Sequence, residues 1–75
     1  HRLARHLLRR ATPDAQGRAR VHFDETRQML ASQLAMKPET LSRLTRSLTE
    51  AGLIELDGRD ILIPDVSRLE AWSER

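Results

Sequence analysis

Apolar residues recur along this chain in more than one rhythm. Leu3, Ala4, Leu7, Leu8 and Ala11 repeat at the spacing of one helical face, with Arg5, Arg9 and Arg10 between them. The spacing predicts a first helix ending near Ala11, because Thr12-Pro13-Asp14 is turn chemistry and the residue before a proline avoids the α region. Residues 12–19, with Gly17, read as a loop. Arg20-Val21-His22-Phe23 alternates polar and apolar, the mark of a short extended segment. Asp24 or Thr26 then caps a second helix, carried by Met29, Leu30, Ala31 and Leu34. Ala35-Met36-Lys37 is a short link, and Pro38 fits the first turn of a third helix, where its missing N–H costs nothing. That helix runs to about Ala51, with Gly52 placed to stop it.

The rhythm then changes. Leu53-Ile54-Glu55-Leu56 and Ile61-Leu62-Ile63 flank Asp57-Gly58, and Asp-Gly between aliphatic runs predicts a hairpin whose two turn residues both take positive φ. Ile54 and Leu56 are expected on one face, as are Ile61 and Ile63. Pro64 ends the strand, and Asp65 caps a short terminal helix through Trp72. Helix, loop, helix, tight turn, helix and hairpin is the layout of a winged helix-turn-helix. The predicted class is mainly α with a small β-hairpin, a three-helix core plus a wing, spanning residues 1–75 as one domain.

The third helix carries the chemistry. At about 100° per residue, Leu41, Leu44, Leu48 and Ala51 fall in one sector of about 80°, while Glu39, Arg43, Arg46 and Glu50 cluster opposite with Ser42 beside them. Taken alone, this is also an ordinary amphipathic surface helix whose Glu39 and Arg43 form an i,i+4 pair. The helix before it changes the reading. A helix-turn-helix needs a small residue midway in its first helix, supplied by Ala31, and apolar anchors in its second, supplied by Leu41 and Leu44. Ala35 occupies the turn position where glycine is usual, and an alanine held at positive φ there costs roughly 1 kcal/mol.

Composition narrows the field. Seventy-five residues and 8.6 kDa make one small domain. Without cysteine there is neither a disulfide nor a thiolate metal site. Apolar runs are too short to span a membrane or serve as a signal-peptide core. Residues 1–20 hold six arginines against Asp14 alone, whereas residues 51–75 hold three arginines against six acids. The basic N-terminal half suits a polyanion, although solvated surfaces look alike. His1 and His6 lie about 140° apart around a helix and make no two-histidine metal face. His22 stands isolated, no spacing suggests a catalytic triad, and there is no glycine-rich phosphate loop. Phe23 and Trp72 read as packing residues. The expectation is a binding module, not an enzyme.

Thr26-Arg27-Gln28, Leu30-Ala31-Ser32-Gln33-Leu34 and Pro38-Glu39-Thr40-Leu41-Ser42-Arg43 resemble the DNA-binding domain of the Crp–Fnr transcription regulators of bacteria. Gly52-Leu53-Ile54, Asp57-Gly58-Arg59, Ile61 and Asp65 continue the likeness through the wing, and Arg2-Leu3-Ala4 with Leu7-Leu8 extends it to the first helix. The resemblance implies base reading by Glu39, Ser42 and Arg43. Arg43 would meet guanine O6 and N7 with its planar fork, and Glu39 would accept from cytosine N4. Glu, Ser and Arg in these places resemble the branch reading TTGAT-like half-sites. Pro38 stands where the cyclic-AMP receptor branch carries an arginine, which turns the expectation away from TGTGA. The likeness also implies phosphate contacts by Thr26 and Arg27, with Lys37, Thr40 and Arg46 around the reading helix and Gly58 and Arg59 at the wing tip. Asp57 and Asp60 beside Arg59 would oppose a phosphate.

The family implies partners as well. Double-stranded DNA is the expected ligand, bound by a homodimer of the full-length protein whose half-sites lie about one helical turn apart. A sensor domain and dimerisation helix are expected ahead of His1, the effector belonging to that part and no cofactor to this domain. RNA polymerase is a further candidate partner, the location is cytoplasmic, and no membrane is involved. The rival reading is a winged-helix protein–protein interaction module that binds no DNA.

Overall fold

Leu3, Ala4 and Leu7 turn one face of the first helix into the core, and the polar remainder faces solvent. The computed structural model describes residues 1–74. Its elements are α1 (Arg2–Arg10), β1 (Ala19–His22), α2 (Arg27–Gln33), α3 (Pro38–Glu50), β2 (Glu55–Asp57), β3 (Asp60–Ile63) and α4 (Val66–Ser73). The helices begin where local chemistry requires. Thr26, not Asp24, caps α2 by accepting the Met29 N–H, and Asp65 caps α4 by accepting from Ser67 and Arg68. Leu3, Leu7, Leu41, Leu48, Ile54, Ile63 and Leu69 are fully buried and join the helices to the sheet in one core.

The sheet has three antiparallel strands in the order β1-β3-β2, where the sequence predicts a two-stranded hairpin. The extended segment at residues 19–22 supplies the third. Ala19 and Val21 point into the core and Arg20 and His22 point out. In joining, β1 gives hydrogen-bond partners to the free edge of β3, an edge otherwise left open to other chains.

The hairpin turn differs from the expected one. Asp57 pairs with Asp60, so the two-residue turn is Gly58-Arg59, not Asp57-Gly58. Gly58 alone in that turn has positive φ, at 61°, which suits a turn with glycine in its first central position. This register puts Leu56 opposite Ile61 on the inner face and both aspartates on the outer face, within reach of Arg20. Leu56 does not share the burial of Ile54. At the wing's edge it remains 44% exposed, whereas Ile54 is fully covered.

Two helix ends share one geometry. After α3, the Leu53 N–H donates to the Leu48 carbonyl and the Gly52 N–H to that of Thr49, both at 3.0 Å. After α2, Met36 donates to Ala31 and Ala35 to Ser32 in the same pattern. Both are Schellman ends, which need a left-handed residue just past the helix. Gly52 takes it with φ 74°, and Ala35 takes it with φ 55°, the only non-glycine at positive φ among the described residues. The strain expected at Ala35 is present.

Candidate nucleic-acid interface

The bend at Ala35 sets α3 across α2, with Ala31 buried beneath it. Leu41 and Leu48 anchor α3, and Thr45 is buried beside them. The hydrophobic pattern gives no sign of Thr45. Its hydroxyl donates to the Leu41 carbonyl at 2.8 Å, so burial leaves no polar atom unmatched. The buried arc is therefore turned by about 50° toward Thr45, which leaves Leu44 half-buried against the edge of the core and Ala51 exposed, the latter not inward as expected. Met29 also differs. Its spacing predicts a place in the core beneath α2, yet it stands 54% exposed.

The turned arc aims Glu39, Ser42, Arg43, Arg46 and Glu50 outward, all exposed. Among the described residues none of the four charged side chains has an ion-pair partner, and the expected Glu39–Arg43 pair is not formed. The three expected base readers thus share one solvent-facing surface. Lys37 is the exposed residue that caps α3, with no side-chain cap bond, and Thr40 is half-buried in the first turn of the helix.

A second group gathers beside this face. Thr26, Arg27, Gly58 and Arg59 line one recess of about 220 Å³, floored by Leu30, Leu41 and Ile61. The recess lies between the start of α2, α3 and the wing. Arg59 is positioned within it. Its Nη1 donates to the Asp24 carbonyl at 3.1 Å, and its own carbonyl accepts the Phe23 N–H at 3.2 Å. The wing tip is thereby tied to the segment leading into α2. Lys37, Thr40 and Arg46 do not line this recess.

The aspartates flanking Arg59 are neutralised from behind. Arg20 pairs with both Asp57 and Asp60. His22, which the sequence leaves isolated, bonds Asp60 through Nδ1 and Asp24 through Nε2, the latter at 3.0 Å. The Arg20 guanidinium, and after it the His22 imidazole, hold the Asp60 carboxyl below the usual carboxylate range. The hydrogen bond to Asp60 in turn raises His22 above its ordinary 6.5, against the opposing effect of burial and with help from Asp24. Arg10 supports the same corner, stacking over the Phe23 ring at 4.3 Å and donating to the His22 carbonyl at 2.7 Å. Sequence reasoning missed Arg10, Arg20 and His22 as parts of the site. The Arg20–His22 alternation was the available signal, because it puts both on the outer face of a strand.

No group of three or more metal-binding side chains occurs among the described residues. No helix among them is long and apolar enough to cross a membrane. The model of the Crp-like helix-turn-helix domain matches residues 1–72. Among curated proteins, none matches the chain. Among solved structures, the chain is similar to DNR from Pseudomonas aeruginosa, with 41% identity and a TM-score of 0.76 over 95% of this chain and 31% of that one. It shares the fold of the CO-dependent transcription factor CooA from Carboxydothermus hydrogenoformans in its imidazole-bound form, with 23% identity and a TM-score of 0.79 over 96% of this chain and 35% of that one. The chain spans only those 31% and 35% of the two relatives' lengths. With four helices, a sheet-borne wing and a family match over nearly all its residues, this chain belongs to the Crp-like helix-turn-helix domains.

Proposed function

We propose that this domain reads double-stranded DNA by placing α3 in the major groove. DNA-binding transcription regulation is the function class of its family, and enzymatic activity is not. The observation that carries the finer reading is the outward face of α3, whose Glu39, Arg43 and Arg46 have no ion-pair partner among the described residues. Charges in this state meet a ligand without first breaking a protein contact.

Arg43 reads guanine with its two-pronged guanidinium, Glu39 accepts from a cytosine amino group, and Ser42 touches a neighbouring base. The half-site is TTGAT-like. Thr26, Arg27, Gly58 and Arg59 receive one stretch of phosphates around their shared recess, and Lys37, Thr40 and Arg46 hold the backbone near α3. The full-length protein binds as a homodimer in the cytoplasm, its two copies on a palindrome. RNA polymerase is proposed as a protein partner of that assembly.

The test is a titration of labelled duplexes, one with a TTGAT palindrome and one scrambled, at two salt concentrations. The expected result is tighter binding of the palindrome and weakening of both with salt. Absence of binding to either duplex at low salt and high protein concentration overturns the proposal in favour of a protein-interaction module.

A further inference from the structure

Four residues close a ring behind the wing tip. His22 ends β1, Asp60 begins β3, Arg59 lies in the turn between β2 and β3, and Asp24 lies in the segment entering α2. His22 Nδ1 bonds Asp60 and His22 Nε2 bonds Asp24, while the Asp24 carbonyl takes the Arg59 guanidinium. One imidazole therefore holds the wing with one nitrogen and the entry to α2 with the other. The Phe23 N–H to Arg59 carbonyl bond lies inside the same ring.

We infer that His22 is a positioning residue of the DNA interface, an imidazolium that helps fix the wing against the start of α2 and loosens that hold when it loses its proton. The inference rests on the DNA-reading function proposed above. Both of its bonds end on carboxylates, which only accept, so both ring nitrogens must donate and only the charged form has two N–H groups. The neutral ring keeps the bond to Asp60 and turns a lone pair toward Asp24, whose side chain is 96% exposed and free to swing away. The second consequence is electrostatic. Around His22 stand Arg20 on β1, Asp60 on β3 and Asp24 before α2, with Asp57 on β2 beyond Arg20, Arg10 of α1 on its carbonyl, Glu25 paired to Arg10, and Arg59 across the ring. Four carboxylates, of Asp24, Glu25, Asp57 and Asp60, are offset there by the three guanidiniums and the imidazole. Loss of the imidazole charge makes this corner more negative, next to the surface offered to phosphates. Geometry and charge weaken binding in the same direction. The raised protonation range of His22 puts the change above its ordinary 6.5.

The experiment follows duplex affinity from about pH 6 to about pH 8.5 for the wild-type chain, His22→Gln and Asp60→Asn, with the His22 ring proton titrated by NMR. Wild type is expected to weaken about two- to fivefold across the range, the size of one exposed charge interaction. His22→Gln should start at the weaker value and lack that component, which separates it from the titration of His6. Asp60→Asn should move the His22 midpoint back toward 6.5. A wild-type pH profile in His22→Gln, or a His22 midpoint at or below the ordinary value, overturns the inference while DNA reading stands. If no duplex binds at all, the proposed function fails instead. Exchange of the Phe23 amide then judges the ring alone: faster exchange in His22→Gln supports it, and unchanged exchange sinks it.

Discussion

The outward face of α3 and the outer face of the sheet carry the same kinds of side chain and use them oppositely. On α3, Glu39 and Arg43 sit one turn apart and still do not pair. On the sheet, Arg20 reaches Asp57 and Asp60 from 37 and 40 residues away and pairs with both. The cause lies in backbone geometry. An i,i+4 pair on a helix is worth only about 0.2–0.5 kcal/mol, which side-chain freedom easily offsets. Asp60 lies diagonal to Arg20 on the adjacent β3 and Asp57 one strand further on β2, all on the outer face, so the ladder itself completes much of their ordering. Charges on the sheet thus belong to the frame, and charges on α3 remain available to a ligand.

Substitutions test that division. Arg43→Ala should have the largest effect, removing about 1–3 kcal/mol of base discrimination so that palindromic and scrambled duplexes bind alike. Its urea midpoint should stay at the wild-type value, because no internal contact is lost. Ala35→Gly touches the frame only. Relief of the left-handed alanine should stabilise the fold by about 1 kcal/mol, read as a higher urea midpoint with the DNA preference unchanged. Arg27→Ala should weaken both duplexes equally and lower the salt slope by about 1. Arg20→Ala breaks the division from the other side. It leaves Asp57 and Asp60 without their guanidinium, so thermal stability should drop slightly and both duplexes should bind more weakly, most clearly at low salt.

The smallest effect concerns His6. Its Nε2 is buried without a partner among the described residues, and burial, then Arg10 and Arg9, lowers its protonation below the ordinary 6.5, with Glu25 opposing. A histidine lowered in the folded state binds its proton more readily when unfolded, so its contribution is lost as pH falls below 6.5. Thermal melts should show a modest loss of stability below that value, and His6→Gln should reduce it.

Signals confined to one stretch of chain are legible in the order of residues alone. Pro38 at the start of α3, Gly52 at its end and Asp65 before α4 each stand where their residue type predicts, and the strain at Ala35 follows from its place in the turn, where glycine is usual. What the sequence hides depends on distant partners. The turn slips by one residue because Arg20 and Ile61 reward a register that Asp-Gly alone does not prefer. Thr45 passes as polar surface by residue type and is buried only because the rest of the core closes over it, its hydroxyl being satisfied within its own helix. The outward face of α3 is visible from periodicity, whereas His22 and Arg10 gain their meaning only once β1 lies against β3.

Arg2 carries a different consequence. From the first turn of α1 its guanidinium donates to the carbonyls of Leu34 and Ala35, both at 3.4 Å. Those carbonyls form the bend that aims α3. Arg2 therefore ties the head of α1 to the bend before α3 directly, without passing through the sheet, so the two helices share one anchor that the wing does not.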